Sequence, residues 1–230
     1  MAGRAFPGEV WLRPQRNGRG FGLDELAQAA VRILDADGLE GLTMRRTAAD
    51  LGVATTSSLY WRVRNKAELL EVSLDAVVGE ALRTASEADP HQDLRAHCGD
   101  LYERLMAHPW SPALLATASG LGPSYLALST RLVRALRAVG APEPQLGAAL
   151  SLLLNYTIGT AVTTSGWQAT RTARAVDDAE LVEAVAARSG NGDDGLLTGL
   201  LRHAVSQDPD QFFWDGLDLA LDAVGAVRTR

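Results

Sequence analysis

The stretch Ala54-Thr55-Thr56-Ser57-Ser58-Leu59-Tyr60-Trp61-Arg62 concentrates side chains that can read a polyanion. Hydroxyls bond phosphates or base edges, a threonine methyl can touch a thymine methyl, and an arginine can form a bidentate pair with guanine. Each good bidentate pair is worth about 1–3 kcal/mol of discrimination between bases. Only Leu59 is a clear core anchor in this stretch, so its other side chains are expected to face outward.

Such a segment needs short, well-capped elements to hold it. Periodicity of 3.6 begins at Leu23, with Leu26, Ala27, Ala30, Ile33 and Leu34 on one stripe, and Gly38 is placed to end that helix. Thr43 can cap a second, short helix running to Leu51, and Gly52 permits a tight turn into the Thr55–Arg62 segment. Asn65-Lys66-Ala67-Glu68 is a capping box in its asparagine form, opening a long helix to about Ser86. Two short helices joined through a glycine turn and backed by a longer one make a helix-turn-helix unit.

The rest of the chain reads as helices near 91–107, 111–118, 123–139, 143–170, 177–188, 195–206 and 209–227. Pro90, Pro109, Pro123, Pro142 and Pro209 stand at or just before starts, where a missing N–H costs nothing. No segment alternates in the manner of a strand, and the expected fold class is all-α. Residues 1–22, punctuated by proline and glycine and carrying Arg4, Arg13, Arg16 and Arg19, are expected to form an irregular basic arm. Residues 23–70 are read as the helix-turn-helix domain and 71–230 as a larger helical domain. The loop 189–195 is expected to be the most mobile stretch.

Composition narrows the function. Of 230 residues, 47% are hydrophobic and 22% charged, as in an ordinary globular chain. The net charge of −6 is unevenly placed: residues 1–70 hold 10 basic and 8 acidic side chains, leaving the remainder strongly acidic. A mildly basic front on an acidic body suits a front that meets nucleic acid. No membrane helix and no secretory signal are expected. The single Cys98 excludes an internal disulfide and suits a reducing cytoplasm. His91, His97, His108 and His203 are scattered, and no HExxH, GxSxG, phosphate-cradling glycine loop or paired cysteine motif appears. Neither an enzyme nor a metal or other cofactor is expected.

The residues Gly38-Leu39-Glu40-Gly41-Leu42-Thr43-Met44-Arg45-Arg46, Ala49-Asp50-Leu51-Gly52-Val53 and Leu59-Tyr60-Trp61-Arg62-Val63-Arg64-Asn65-Lys66-Ala67-Glu68-Leu69-Leu70 resemble the DNA-binding domain of TetR-family repressors. The tetracycline-repressor-like branch is the nearer match, and the resemblance covers roughly residues 23–75. It implies that Thr43 caps its helix against a phosphate and that Arg45 points toward a base or the backbone. Thr55, Thr56, Ser57 and Ser58 would open the recognition helix, with Tyr60, Trp61 and Arg62 contacting phosphates or base edges. Lys66 would hold the backbone at a helix N-terminus, where the dipole also favours phosphate. One departure stands out: five residues separate Val53 from Leu59, where family members usually have four.

The acidic body carries two further expectations. In helix 209–227, Phe213, Leu217, Ala220, Leu221 and Val224 form one apolar stripe, and Phe212, Gly216, Leu219 and Ala223 form another. A helix apolar on two faces must bury both. Helix 143–170 has Gly147, Ser151, Asn155, Gly159 and Thr163 at i, i+4 spacing, open to a close helix partner. Two helices from each subunit would then build a two-fold, four-helix homodimer interface, as the resemblance also implies. For a small, mostly apolar effector the candidate contacts are His97, Tyr102, Trp110, Asn155, Thr163 and Trp167. His97 stands where tetracycline repressors place a drug-binding asparagine, while 109–118 lacks their histidine, so the resemblance assigns no particular inducer. The function expected is a ligand-responsive repressor on a near-palindromic operator. The alternative is a helical adaptor with a degenerate helix-turn-helix and no operator.

Overall fold

In a computed structural model, the described residues are 7–14, 20–83, 88–174 and 208–226, with isolated positions between 180 and 203. The expected helices 177–188 and 195–206 and the loop 189–195 lie largely or wholly outside them. Among the described residues there are helices and no strands. Helix α1 spans Glu9–Leu12, α2 Leu23–Gly41 and α3 Met44–Asp50, followed by a 3-10 segment over Thr56–Trp61. Then come α4 (Lys66–Ala81), α5 (Pro90–Ala107), α6 (Ser111–Leu115), α7 (Pro123–Ala138), α8 (Leu146–Arg174) and α9 (Pro209–Ala226).

The caps follow the sequence. Thr43 Oγ1 accepts from the Arg46 N–H at 3.1 Å, and Asn65 Oδ1 accepts from the Glu68 N–H at 2.9 Å. The Glu68 carboxylate returns the bond to the Arg64 N–H at 2.7 Å, one residue ahead of the usual capping-box position. Gly38 and Gly52 adopt left-handed φ values of 64° and 67°, which breaks α2 before its last turn and folds the chain back after α3.

Two apolar clusters result. The first joins Val10, Leu26, Ala30, Leu34, Leu42, Ala48, Leu59, Val63, Leu69 and Val72. The second joins Leu74, Val78 and Ala81 to the inner faces of α5, α7, α8 and α9. Helix α4 serves both, so one continuous element crosses the expected boundary at residue 70.

Three local expectations are corrected. The arm is not irregular throughout: α1 turns once and buries Val10 against the first cluster, while Gly8 N–H donates to Glu71 at 2.8 Å. Ion pairs from Arg13 to Glu68 on α4 and from Glu9 to Arg64 just ahead of α4 hold it in place. Helix α4 ends at Ala81, short of Ser86, and α6 ends at Leu115. By length and composition alone, α8 would also pass for a membrane-crossing helix, which corrects none of these expectations. Its Leu153, Leu154, Ile158 and Ala161 are instead buried in the second cluster, as a core helix requires.

Candidate nucleic-acid interface and regulatory domain

Leu59 is fully buried and fixes the recognition segment on the first core. A 3-10 helix has three residues per turn, so Thr56, Leu59 and Arg62 fall on one side and two rows face away from the anchor. Those rows are Ser57 with Tyr60 and Ser58 with Trp61. Tyr60 is 51% and Trp61 68% exposed, high for side chains of this size, and Thr55 and Ser57 are exposed as well. The extra residue between Val53 and Leu59 is taken up by an extended Thr55 (φ −141°, ψ 146°) and the tight 3-10 winding that follows.

Not every hydroxyl in the segment is available. Ser58 Oγ donates to the Thr55 carbonyl at 2.7 Å, closing the turn, and Thr55 and Ser57 hydroxyls lie 2.7 Å apart. Arg62 is half-buried and donates to the Phe21 carbonyl at 3.0 Å. Sequence reasoning missed this tie because it spans 41 residues.

The other cations sort by partner. Arg32 pairs with Asp50, Arg46 with Asp37, Arg64 with Glu9 and Arg13 with Glu68. Exposed Arg45 makes no hydrogen bond or ion pair among the described residues. Lys66, also exposed, donates among the described residues only to the Leu39 carbonyl. Among the described residues no carboxylate neutralises Arg45 or Lys66, so their charge is available to a polyanion.

In the second domain the six effector candidates do not converge. His97 and Tyr102 are buried on the inner face of α5. His97 Nε2 lies 3.3 Å from Asp93, and neither ring nitrogen makes a hydrogen bond. Tyr102 stacks on Phe213, with centroids 3.9 Å apart and planes 4° from parallel. Burial raises the Tyr102 phenol above its ordinary pKa; Thr164 eases that effect without closing a hydrogen bond. Asn155, Thr163 and Trp167 face outward instead, because they lie off the arc of α8 that buries Leu153, Leu154, Thr157, Ile158 and Ala161. Trp110 sits where the two domains meet, its Nε1 donating to Asp35 of α2 at 2.7 Å.

The interface candidates sort cleanly. The first stripe of α9 is buried from Phe213 to Val224, and the second is not: Phe212 is 48% and Leu219 71% exposed, with Ala223 beside them. Gly216 departs from that stripe, packing under the Tyr156 ring within the chain. On α8, Gly147 and Gly159 have open space where a Cβ would stand, and Ser151 and Leu152 are exposed. A shallow apolar groove lined by Ala148, Leu152, Ala223 and Val224 continues this surface.

An exposed recognition segment on a helix-turn-helix core, joined through one shared helix to a larger helical domain, defines a DNA-binding transcriptional regulator. Residues 85–228 match the family model described as the tetracyclin repressor-like C-terminal domain. An HTH-type transcriptional regulator of Saccharopolyspora erythraea is 39% identical over 167 residues, 70% of each chain. The HTH-type transcriptional repressor DrrR1 of Streptomyces coeruleorubidus is 35% identical over 158 residues, 66% of this chain and 58% of that one. Apo ActR, a TetR family protein of Streptomyces coelicolor also solved with (S)-DNPA, superposes with a TM-score of 0.76 at 25% identity, covering 92% of this chain and 98% of that one. The chain belongs to the TetR family of transcriptional regulators.

Proposed function

We propose that the protein is a cytoplasmic repressor that binds a near-palindromic operator as a homodimer and leaves it when a small, mostly apolar molecule binds the second domain. The observation that carries this reading is the exposed Tyr60 and Trp61 on a buried Leu59 anchor, with Arg45 and Lys66 uncompensated by acids. The small and apolar outer faces of α8 and α9, uncovered among the described residues, support the dimer, since a second chain would bury them. Two recognition segments one helical turn apart, about 34–36 Å, would read two half-sites. DrrR1 is named a repressor, and ActR has been solved with a bound small molecule, which fits the remaining parts.

Selection of bound duplexes from a random DNA pool by the purified full-length protein tests this. The expected product is an enriched near-palindrome. A pool that stays unenriched after repeated rounds would favour the adaptor reading instead.

A further inference from the structure

We propose that Asp35 is a positioning residue that sets the spacing at which the paired helix-turn-helix units meet DNA. The proposal rests on the dimeric-operator reading above and adds to it the residue contact that orients each unit.

One oxygen of Asp35, Oδ1, takes two hydrogen bonds from the second domain: Trp110 Nε1 donates at 2.7 Å and His108 Nδ1 donates at 2.7 Å. The opposite ring nitrogen of His108 lies 3.5 Å from the Glu80 carboxylate on α4. Both donors flank Pro109 at the start of α6, and both are planar rings with few rotamers to lose. Trp110 packs against both apolar clusters, and the His108 side chain is only 11% exposed.

Helix α4 alone connects the domains by continuous backbone through both clusters, and one helix shared along its axis leaves rotation about that axis weakly defined. A contact away from the axis removes that freedom. Asp35 supplies a polar one, in addition to the close approach of Gly8 to Ser119 and Leu121, because it stands on α2 and is gripped from the α5–α6 junction. Hydrogen bonds to a carboxylate are the stronger kind, so the grip resists small rotations. In a two-fold dimer each unit's rotation is doubled in the separation of the recognition segments, so the Asp35 contact governs which half-site spacing is accepted.

The test uses the full-length protein, the selected operator, the same duplex with one base pair inserted between its half-sites, and a single half-site duplex. Asp35→Asn and Trp110→Phe are compared with the wild type; the first keeps the side-chain volume and removes the charge, and the second keeps an aromatic ring in the packing while removing the indole donor. The wild type is expected to prefer the unaltered spacing. In both variants that preference should fall by about tenfold, the scale of one hydrogen bond to a charged group, with half-site affinity near wild type; Asp35→Asn, which leaves no void, should also keep a melting temperature near wild type. Variants that keep the wild-type preference overturn the role of Asp35. A wild type that binds both spacings equally overturns the dimeric-operator reading as well.

Discussion

Arg62 donates from its guanidinium to the Phe21 carbonyl at 3.0 Å, so the arginine of the recognition segment is tied to the chain just ahead of α2. That tie shifts the weight of base reading toward Arg45, which has no partner among the described residues. Arg45→Ala should reduce discrimination between the operator and its single-base variants by about 1–3 kcal/mol. Anisotropy titrations over a set of such variants check this; a uniform loss across all duplexes would place Arg45 on the backbone instead.

Lys66 has the opposite signature. It stands at the N-terminus of α4 and, among the described residues, hydrogen-bonds to a backbone carbonyl and no carboxylate, a position from which it can grip phosphate. Lys66→Ala should weaken operator and random duplex alike and lower the salt slope by about 1. A change in preferred sequence would contradict the assignment.

How much of this was legible in the sequence depends on the range over which each signal acts. The two stripes of α9 were readable because a 3.6-residue period lies within one element, and the buried set Phe213, Leu217, Ala220, Leu221 and Val224 matches it. Caps such as Thr43 and Asn65 were readable because donor and acceptor are three residues apart. Helix α1 was not, since four residues are too few for a period to show. The Asp35–Trp110 contact spans 75 residues and exists only once both domains are packed. The effector set mixed inward and outward residues: Asn155 and Thr163 share their stripe with Gly159, and that spacing alone already put them on the outer face. Whether a short segment winds as 3-10 or α is decided by turn geometry, which the hydroxyl-rich run 55–58 does not reveal.

Cys98 is fully enclosed by the second core, and burial pushes its thiol up to about 12. It should therefore stay protonated at pH 8 and resist a water-soluble disulfide reagent there. Colorimetric titration should find no reactive thiol in the native protein and one per chain in denaturant. Rapid labelling of the folded protein would show that the core opens around it.

Gly99 lets α5 and α9 approach closely. A Cβ there would lie 2.1 Å from the Trp214 ring, which Arg95 covers at 4.2 Å and Phe213 meets edge-on. The ring has little room to retreat, so Gly99→Ala should destabilise the fold by about 1–3 kcal/mol in urea unfolding. An unchanged midpoint would mean the ring is more mobile than its contacts suggest.

Leu219 is the most exposed apolar side chain on the outer stripe of α9, at 71%. Leu219→Glu should convert a dimer into monomers by sedimentation while leaving the single-chain fold intact, because the side chain is largely exposed among the described residues. A variant that still sediments as a dimer would move the interface elsewhere.

The most direct measurement is fluorescence anisotropy of the full-length protein on its selected duplex and on a scrambled duplex, at two salt concentrations, with stoichiometry read at saturation. The account predicts two chains per duplex, clear preference for the selected sequence, and affinity that falls steeply as salt rises because bound counterions are released. Equal, weak binding to both duplexes would contradict it.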